Sequence, residues 1–275
     1  MAEFDRSKEV RFNTGSCAPR IIKQLAEEFV ILPEVVASLE VAARRVDDAF
    51  VSMLVVTELG RLLTLLPDGI NVAPLIYPGI YDIDTDQMMK DAVDDWEDMG
   101  IGFSQAPCFL VAGHHDEAGQ RPKLAAERLQ KRFLYRSHHP KVYSQVVADT
   151  APAQARWVAD QVEELDLSAL ALRVHPFHVA RAFLTQLAEL KKRGLHEKVV
   201  MLPWWSTFNP FGKRMLTGPW TQDVWTDAKL ILGEAKRIYD YSAKGDVASL
   251  QDLRDYCDWL FTASPATEAL KDYTA

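Results

Sequence analysis

The chain has 275 residues, of which 48% are hydrophobic and 25% are charged, and its formal net charge is −8. This composition is typical of a soluble globular protein and argues against disorder throughout the chain. An acidic chain lacks the basic surface of a non-specific nucleic-acid binder, so we expect no nucleic-acid partner. No run of about 18 uncharged apolar residues occurs, and the charged first eleven residues lack an apolar signal core. We therefore expect a cytoplasmic protein with no membrane partner.

In the first half of the chain, apolar residues at helical spacing and turn signals predict helices joined by irregular segments. After an irregular arm over residues 1–18, one helix opens at Ala18 and a second runs from Pro33 as far as Leu66. Residues 67–82 are rich in Pro and Gly and are expected to form a long apolar connector. Further helices are predicted over 86–99, 122–136, 140–149 and 152–165, with a short extended segment over 107–112.

The second half of the chain also carries mainly helical patterns. Ser168 opens a helix, or two helices separated at Pro176, that ends at Gly194, and Val199 to Leu202 is a second candidate extended segment. Residues 203–222 cannot form one regular element, and helices over 223–243 and 248–261 complete the chain. These patterns predict a mainly α protein: a single helical, bundle-like domain over residues 1–275 with at most a few short extended segments.

Histidines carry the strongest chemical signal in this sequence. Six of the seven occur in short clusters, namely His114-His115, His138-His139, and His175 with His178. Imidazole binds transition metals and exchanges protons near neutral pH. His175 and His178 are three residues apart at a helix start, so they are predicted to be catalytic, as metal ligand or general base.

A metal site can also be assembled from the histidine clusters. His114 and Asp116 form the His-x-carboxylate half of a two-histidine, one-carboxylate iron site, to which His175 or His178 would add the second imidazole. His115 with Glu117 has the same spacing, and a haem with an axial histidine is an alternative. The sequence thus predicts a metal-binding protein, with iron or haem as the candidate cofactor and an oxidoreductase as the candidate activity. The three cysteines are widely spaced with no CxxC pair, which argues against structural zinc.

The segment from Pro203 to Trp225 is unusually rich in aromatic residues for an irregular stretch. We expect it either to cover the core or to line an aromatic pocket for a flat or apolar small molecule. Two cations at its edge would meet an acidic group of that ligand. The predicted substrate-binding residues are Trp204, Trp205, Phe208, Lys213 and Arg214.

Two other functional classes remain open at this level. The aromatic segment and the charged stripes could dock a protein partner instead of a small molecule, and oligomers could form. The run Asp94-Asp95-Trp96-Glu97-Asp98 matches the DDxxD pattern with which isoprenoid synthases hold magnesium and diphosphate.

His175-Pro176-Phe177 resembles the opening of the Fic-domain signature. That resemblance implies nucleotide-dependent group transfer with the histidine as base. However, Ala180-Arg181-Ala182-Phe183 stands where the family has its phosphate-binding glycine loop. The leading hypothesis is an enzyme that uses histidine on a small apolar or aromatic molecule.

Overall fold

The computed structural model describes residues 33–67, 70–77, 89, 92–96, 106–113, 121–134, 139–145, 150–204, 213–215 and 224–274. Its central feature is a five-stranded sheet in which every neighbouring pair is parallel. The strands are β1 (Val72–Ile76), β2 (Cys108–Val111), β3 (Lys141–Ser144), β4 (Ala169–Arg173) and β5 (Val200–Pro203). Helices and strands alternate along the chain, so the fold is α/β, and the predictions of a mainly α, bundle-like and all-α protein are wrong.

The central strands are buried on both faces of the sheet, and all their residues except Arg173 are apolar. All five residues of β1 and all five of β4 are buried. A strand that is buried on both faces is apolar along its whole length instead of at alternate positions. Such a run also has apolar residues three and four positions apart, so it can be mistaken for part of a helix. Pro74 fits within β1 because pairing with β2 begins only at Leu75, so its missing N–H removes no hydrogen bond from that ladder.

Apart from the last helix, which was not predicted, the helices of the described residues overlap segments predicted to be helical. They are α1 (Pro33–Leu59), α2 (Arg121–Phe133), α3 (Ala151–Glu164), α4 (Val179–Lys192), α5 (Asp227–Ser242), α6 (Leu250–Thr262) and α7 (Thr267–Thr274). A 3-10 turn over Gly60–Leu65 follows α1, and residues 92–96 are helical. The helix predicted over 140–149 is wrong, because β3 occupies its first half, and the helix predicted from Ser168 is wrong where β4 lies. The extended segments predicted near β2 and β5 are confirmed.

The chain divides into two compact units, residues 1–48 and residues 49–275. In the first unit the described residues, 33–48, are helical. The second unit contains the sheet and a separate antiparallel hairpin of β6 (Lys213–Met215) and β7 (Val224–Thr226). The single domain predicted over 1–275 stays a prediction. No helix among the described residues is both long enough and apolar enough to cross a membrane.

The strand order, β3-β2-β1-β4-β5, determines where a ligand site is expected. The chain builds the sheet outward from β1 through β2 to β3, and then returns to the other side of β1 to add β4 and β5. The direction changes between β1 and β4. Open α/β sheets bind ligands beyond the carboxyl ends of the strands at such a switch point.

Helix α6 contacts the outer edge of the sheet through one side chain. The Tyr256 hydroxyl accepts a hydrogen bond from the Met201 N–H at 2.7 Å and donates one to the Met201 carbonyl at 2.8 Å. The N–H groups of Val200 and Trp204 donate inward to Ser168 and Leu172, so Met201 faces away from β4. Tyr256 is fully buried, and burial raises its pKa far above the usual value.

Candidate functional site

The turn that follows β4 places a histidine at the switch point. After Arg173 the chain passes through His175 into a 3-10 turn over Pro176–His178, and α4 begins directly at Val179. The His178 N–H donates to the His175 carbonyl at 2.8 Å, which closes the turn. Pro176 suits the first position of such a turn because its missing N–H would have no partner there. His178 is therefore held at the carboxyl edge of the sheet by the backbone of the β4–α4 connection.

His178 belongs to a cluster of charged side chains that α4 and α5 build together. Its Nδ1 is 3.0 Å from Oε2 of Glu234, a residue of α5 that is 56 positions later in the chain. Arg181, one helical turn after His178, donates from Nε to the same oxygen and from Nη2 to Oε1 at 3.4 Å. Arg237 donates from Nη1 to Oε1 at 2.5 Å. We call His178, Arg181, Glu234 and Arg237 the His178 cluster.

Burial differs sharply within the His178 cluster. The side chain of Glu234 is 2% exposed, that of Arg181 15% and that of His178 22%, whereas Arg237 is 48% exposed. A carboxylate so thoroughly removed from water needs compensating partners, and both of its oxygens have them. The cluster is thus closed at Glu234 and open towards solvent at Arg237 and at part of the His178 ring.

The environment sets the ionisation of both titratable groups. Burial, together with the positive charge of Arg181, lowers the pKa of His178 below its usual value, although Glu234 acts in the opposite direction. Burial acts to raise the pKa of Glu234, but the hydrogen bonds and charges of His178 and Arg181 hold that pKa far below its usual range. At neutral pH the cluster contains an ionised carboxylate beside a neutral imidazole, and the guanidinium of Arg181 helps to keep the carboxylate charged.

The two contacts of Nδ1 are with one hydrogen-bond acceptor and one hydrogen-bond donor. Nδ1 lies 3.0 Å from Glu234 Oε2 and 3.0 Å from Arg181 Nη2. The carboxylate can only accept, whereas Nη2 also has Glu234 Oε1 as an acceptor. A proton on Nδ1 would be donated to Glu234 Oε2, whereas an unprotonated Nδ1 would accept from Arg181 Nη2. In the tautomer with the proton on Nδ1, Nε2 carries the lone pair, and among the described residues Nε2 makes no hydrogen bond.

His175 lies in a different environment from His178. It is buried, and its ring stacks on Phe177 at a centroid distance of 5.5 Å and an interplanar angle of 8°. No group of three or more His, Cys, Asp or Glu side chains in the described part of the chain could hold a metal ion. For that part of the chain, the prediction of a metal-binding protein with an iron site is wrong. His114 and Asp116, its other predicted ligands, lie outside the described residues.

A second buried charge lies at the end of β4. The Arg173 side chain is 2% exposed, and its Nη1 is 2.7 Å from Oδ2 of Asp95, a member of the predicted DDxxD run. Its guanidinium carbon is 4.5 Å from the ring centroid of Trp204. Trp204 also packs edge-on against Trp96 at 5.0 Å. The structure thus places Trp204 in a buried aromatic cluster that supports the carboxyl edge of the sheet.

The remaining predicted substrate-binding residues are only partly placed by the structure. Trp205 and Phe208 lie outside the described residues. Lys213 and Arg214 lie in β6, where they pair with Thr226 and Trp225 of β7. A substrate-binding role for these residues stays a prediction.

The functional residues predicted from the sequence did not include Glu234, Arg181 or Arg237. Arg181 could have been found, because it follows His178 by three residues on a predicted helix. Comparisons with known proteins add no assignment: no protein-family model matches the chain, and neither the curated proteins nor the solved structures contain a match.

Proposed function

We propose that the protein is an enzyme in which His178 acts as a general base on a small molecule bound at the carboxyl edge of the sheet. The observation that carries this proposal is the buried carboxylate of Glu234, 3.0 Å from Nδ1 of His178. A carboxylate at one ring nitrogen orients the imidazole and leaves the other nitrogen to exchange protons with a reactant. This arrangement occurs at the switch point of the sheet, where ligand sites are expected.

Each member of the cluster has a defined role in this proposal. Glu234 accepts the Nδ1 proton, which fixes the ring orientation and the tautomer with a basic Nε2. The lowered pKa of His178 keeps the imidazole unprotonated at neutral pH, as a general base requires. Arg181 positions Glu234 and keeps it ionised. In the reaction, Nε2 accepts a proton from water or from a substrate hydroxyl, and returns that proton to the leaving group.

The proposal is tested first by the state of the imidazole. In nitrogen-detected NMR of the full chain, the neutral ring of His178 should show a protonated Nδ1, an unprotonated Nε2 and a pKa below the usual histidine value. The His178→Gln variant identifies the signals, and His139→Gln, which alters an exposed histidine, serves as the matched control. A neutral ring protonated at Nε2, or a raised pKa, would overturn the proposal.

Reactivity supplies the second test. An accessible basic Nε2 should accelerate hydrolysis of p-nitrophenyl acetate, a small aromatic ester, with a rate that increases with pH through the lowered pKa of His178. General base catalysis typically contributes about 10²–10⁴-fold. The rate should therefore fall to the buffer level in His178→Gln and remain unchanged in His139→Gln. Equal rates in the wild type and in His178→Gln would mean that the cluster only anchors α5 to the β4–α4 turn.

A further inference from the structure

The charges in the His178 cluster do not balance. Two guanidinium groups, those of Arg181 and Arg237, share the single carboxylate of Glu234. With a neutral imidazole beside them, one unit of positive charge remains within the four residues of the cluster. From this excess we propose that the molecule on which His178 acts carries an oxyanion, a phosphate or a carboxylate, that binds to these two arginines. This inference rests on the proposed function, because it names the substrate class of the same site.

Unused hydrogen-bond donors show where the oxyanion would bind. A guanidinium group has five N–H donors in one plane, a geometry that matches phosphate and carboxylate oxygens. Arg237 uses only Nη1 on Glu234, so its Nε and Nη2 make no hydrogen bond within the described part of the chain. Arg181 uses Nε and Nη2, which likewise leaves Nη1 without a hydrogen bond among those residues.

The same two arginines connect the oxyanion to the reacting atom. Arg181 Nη2 is 3.0 Å from the His178 ring, so an anion held on the rest of that guanidinium lies beside the imidazole. Arg237 is about half exposed and lies on the solvent side of the buried Glu234. An incoming anion therefore meets Arg237 without displacing the carboxylate. Anchoring one end of the substrate in this way would hold its reactive group near Nε2.

The binding experiment uses inorganic phosphate and acetate in separate titrations of the full chain, with NMR signals of His178 and of the Arg237 guanidinium as the readout. We expect saturable binding of at least one anion, and the tighter of the two identifies phosphate or carboxylate as the group recognised. Loss of a charge-assisted hydrogen bond should weaken binding about tenfold or more in Arg237→Gln. Lys236→Gln is the matched control, since Lys236 is the neighbouring cation on α5 and pairs with Asp240 at 2.5 Å.

The possible outcomes separate this inference from the proposed function. Failure of both anions to bind saturably, or equal weakening in Arg237→Gln and Lys236→Gln, would overturn the oxyanion site, even if ester hydrolysis by His178 is observed. Saturable binding that depends on Arg237 and persists in His178→Gln would support the site, even if the hydrolysis test of His178 fails.

Discussion

Replacing Glu234 with glutamine should remove much of the stability of the region around the His178 cluster. The substitution keeps the shape of the side chain but leaves the guanidinium of Arg181, only 15% exposed, without its counter-charge. Removing one partner of a buried ion pair costs about 3–5 kcal/mol. The amide oxygen of glutamine can still accept one hydrogen bond, and the half-exposed Arg237 contributes little, which together favour the lower end of that range.

The assay for Glu234→Gln is urea-induced unfolding followed by tryptophan fluorescence, with the free energy of unfolding extrapolated to water. The matched control is Asp240→Asn on the same helix, whose pair with the 74%-exposed Lys236 should contribute less than about 0.5 kcal/mol. A loss below about 1 kcal/mol in Glu234→Gln, or an equal loss in both variants, would refute the reasoning. Either result would mean that Arg181 is readily hydrated and that the cluster is not rigidly closed.

Two further predictions concern pH and the sheet edge. The pKa values of His178 and Glu234 are both lower in the folded protein than in the unfolded chain. The unfolded chain therefore binds more protons than the folded protein below pH 6.5, where its histidine titrates, and again below pH 4.5, where its glutamate titrates. The free energy of unfolding should therefore decrease on acidification from neutral pH, by up to about 1.4 kcal/mol per pH unit for each proton taken up. Urea unfolding at several pH values tests this, and a slope that is the same in His178→Gln between pH 7 and 5 would contradict the role of the imidazole. The Tyr256→Phe variant leaves the buried N–H and carbonyl of Met201 without their hydrogen-bond partner. The free energy of unfolding should therefore fall by about 2 kcal/mol in the same assay. Tyr241→Phe, at a partly buried tyrosine, is its control, and an equal effect in the two variants would show that the Met201 bonds contribute nothing.

The amphipathic helices could be predicted from the sequence, but the central strands could not. Helices α3 and α6 each begin at a residue whose side chain caps the helix, so local signals suffice to place them. Strand β4 has the sequence Ala-Leu-Ala-Leu-Arg, and Ala, Leu and Arg all have a high intrinsic preference for helix. It is extended because it pairs with β1 and β5 and is buried along its whole length, which is tertiary information.

The candidate site, like the fold, could be predicted from the sequence only in part. His178 could be selected from the spacing of imidazoles around Pro176, because that spacing depends on neighbours in sequence. The carboxylate that orients it comes from α5, and no spacing rule connects residues that are 56 positions apart. The helix over 223–243 was predicted, but its periodicity does not show which neighbour Glu234 would face. Residues of one site that lie on separate elements need the fold before they can be grouped.

The contact between Tyr256 and Met201 has a consequence for assembly. Among the described residues β5 ends the parallel sheet, and an open strand end invites another chain to add a strand. The phenol occupies the outward N–H and carbonyl of Met201, and the next outward residue, Pro203, has no N–H to offer. A strand from another chain could not form a regular series of hydrogen bonds with β5 unless α6 first moved away. Fibre formation or strand exchange through this edge would therefore begin with detachment of α6.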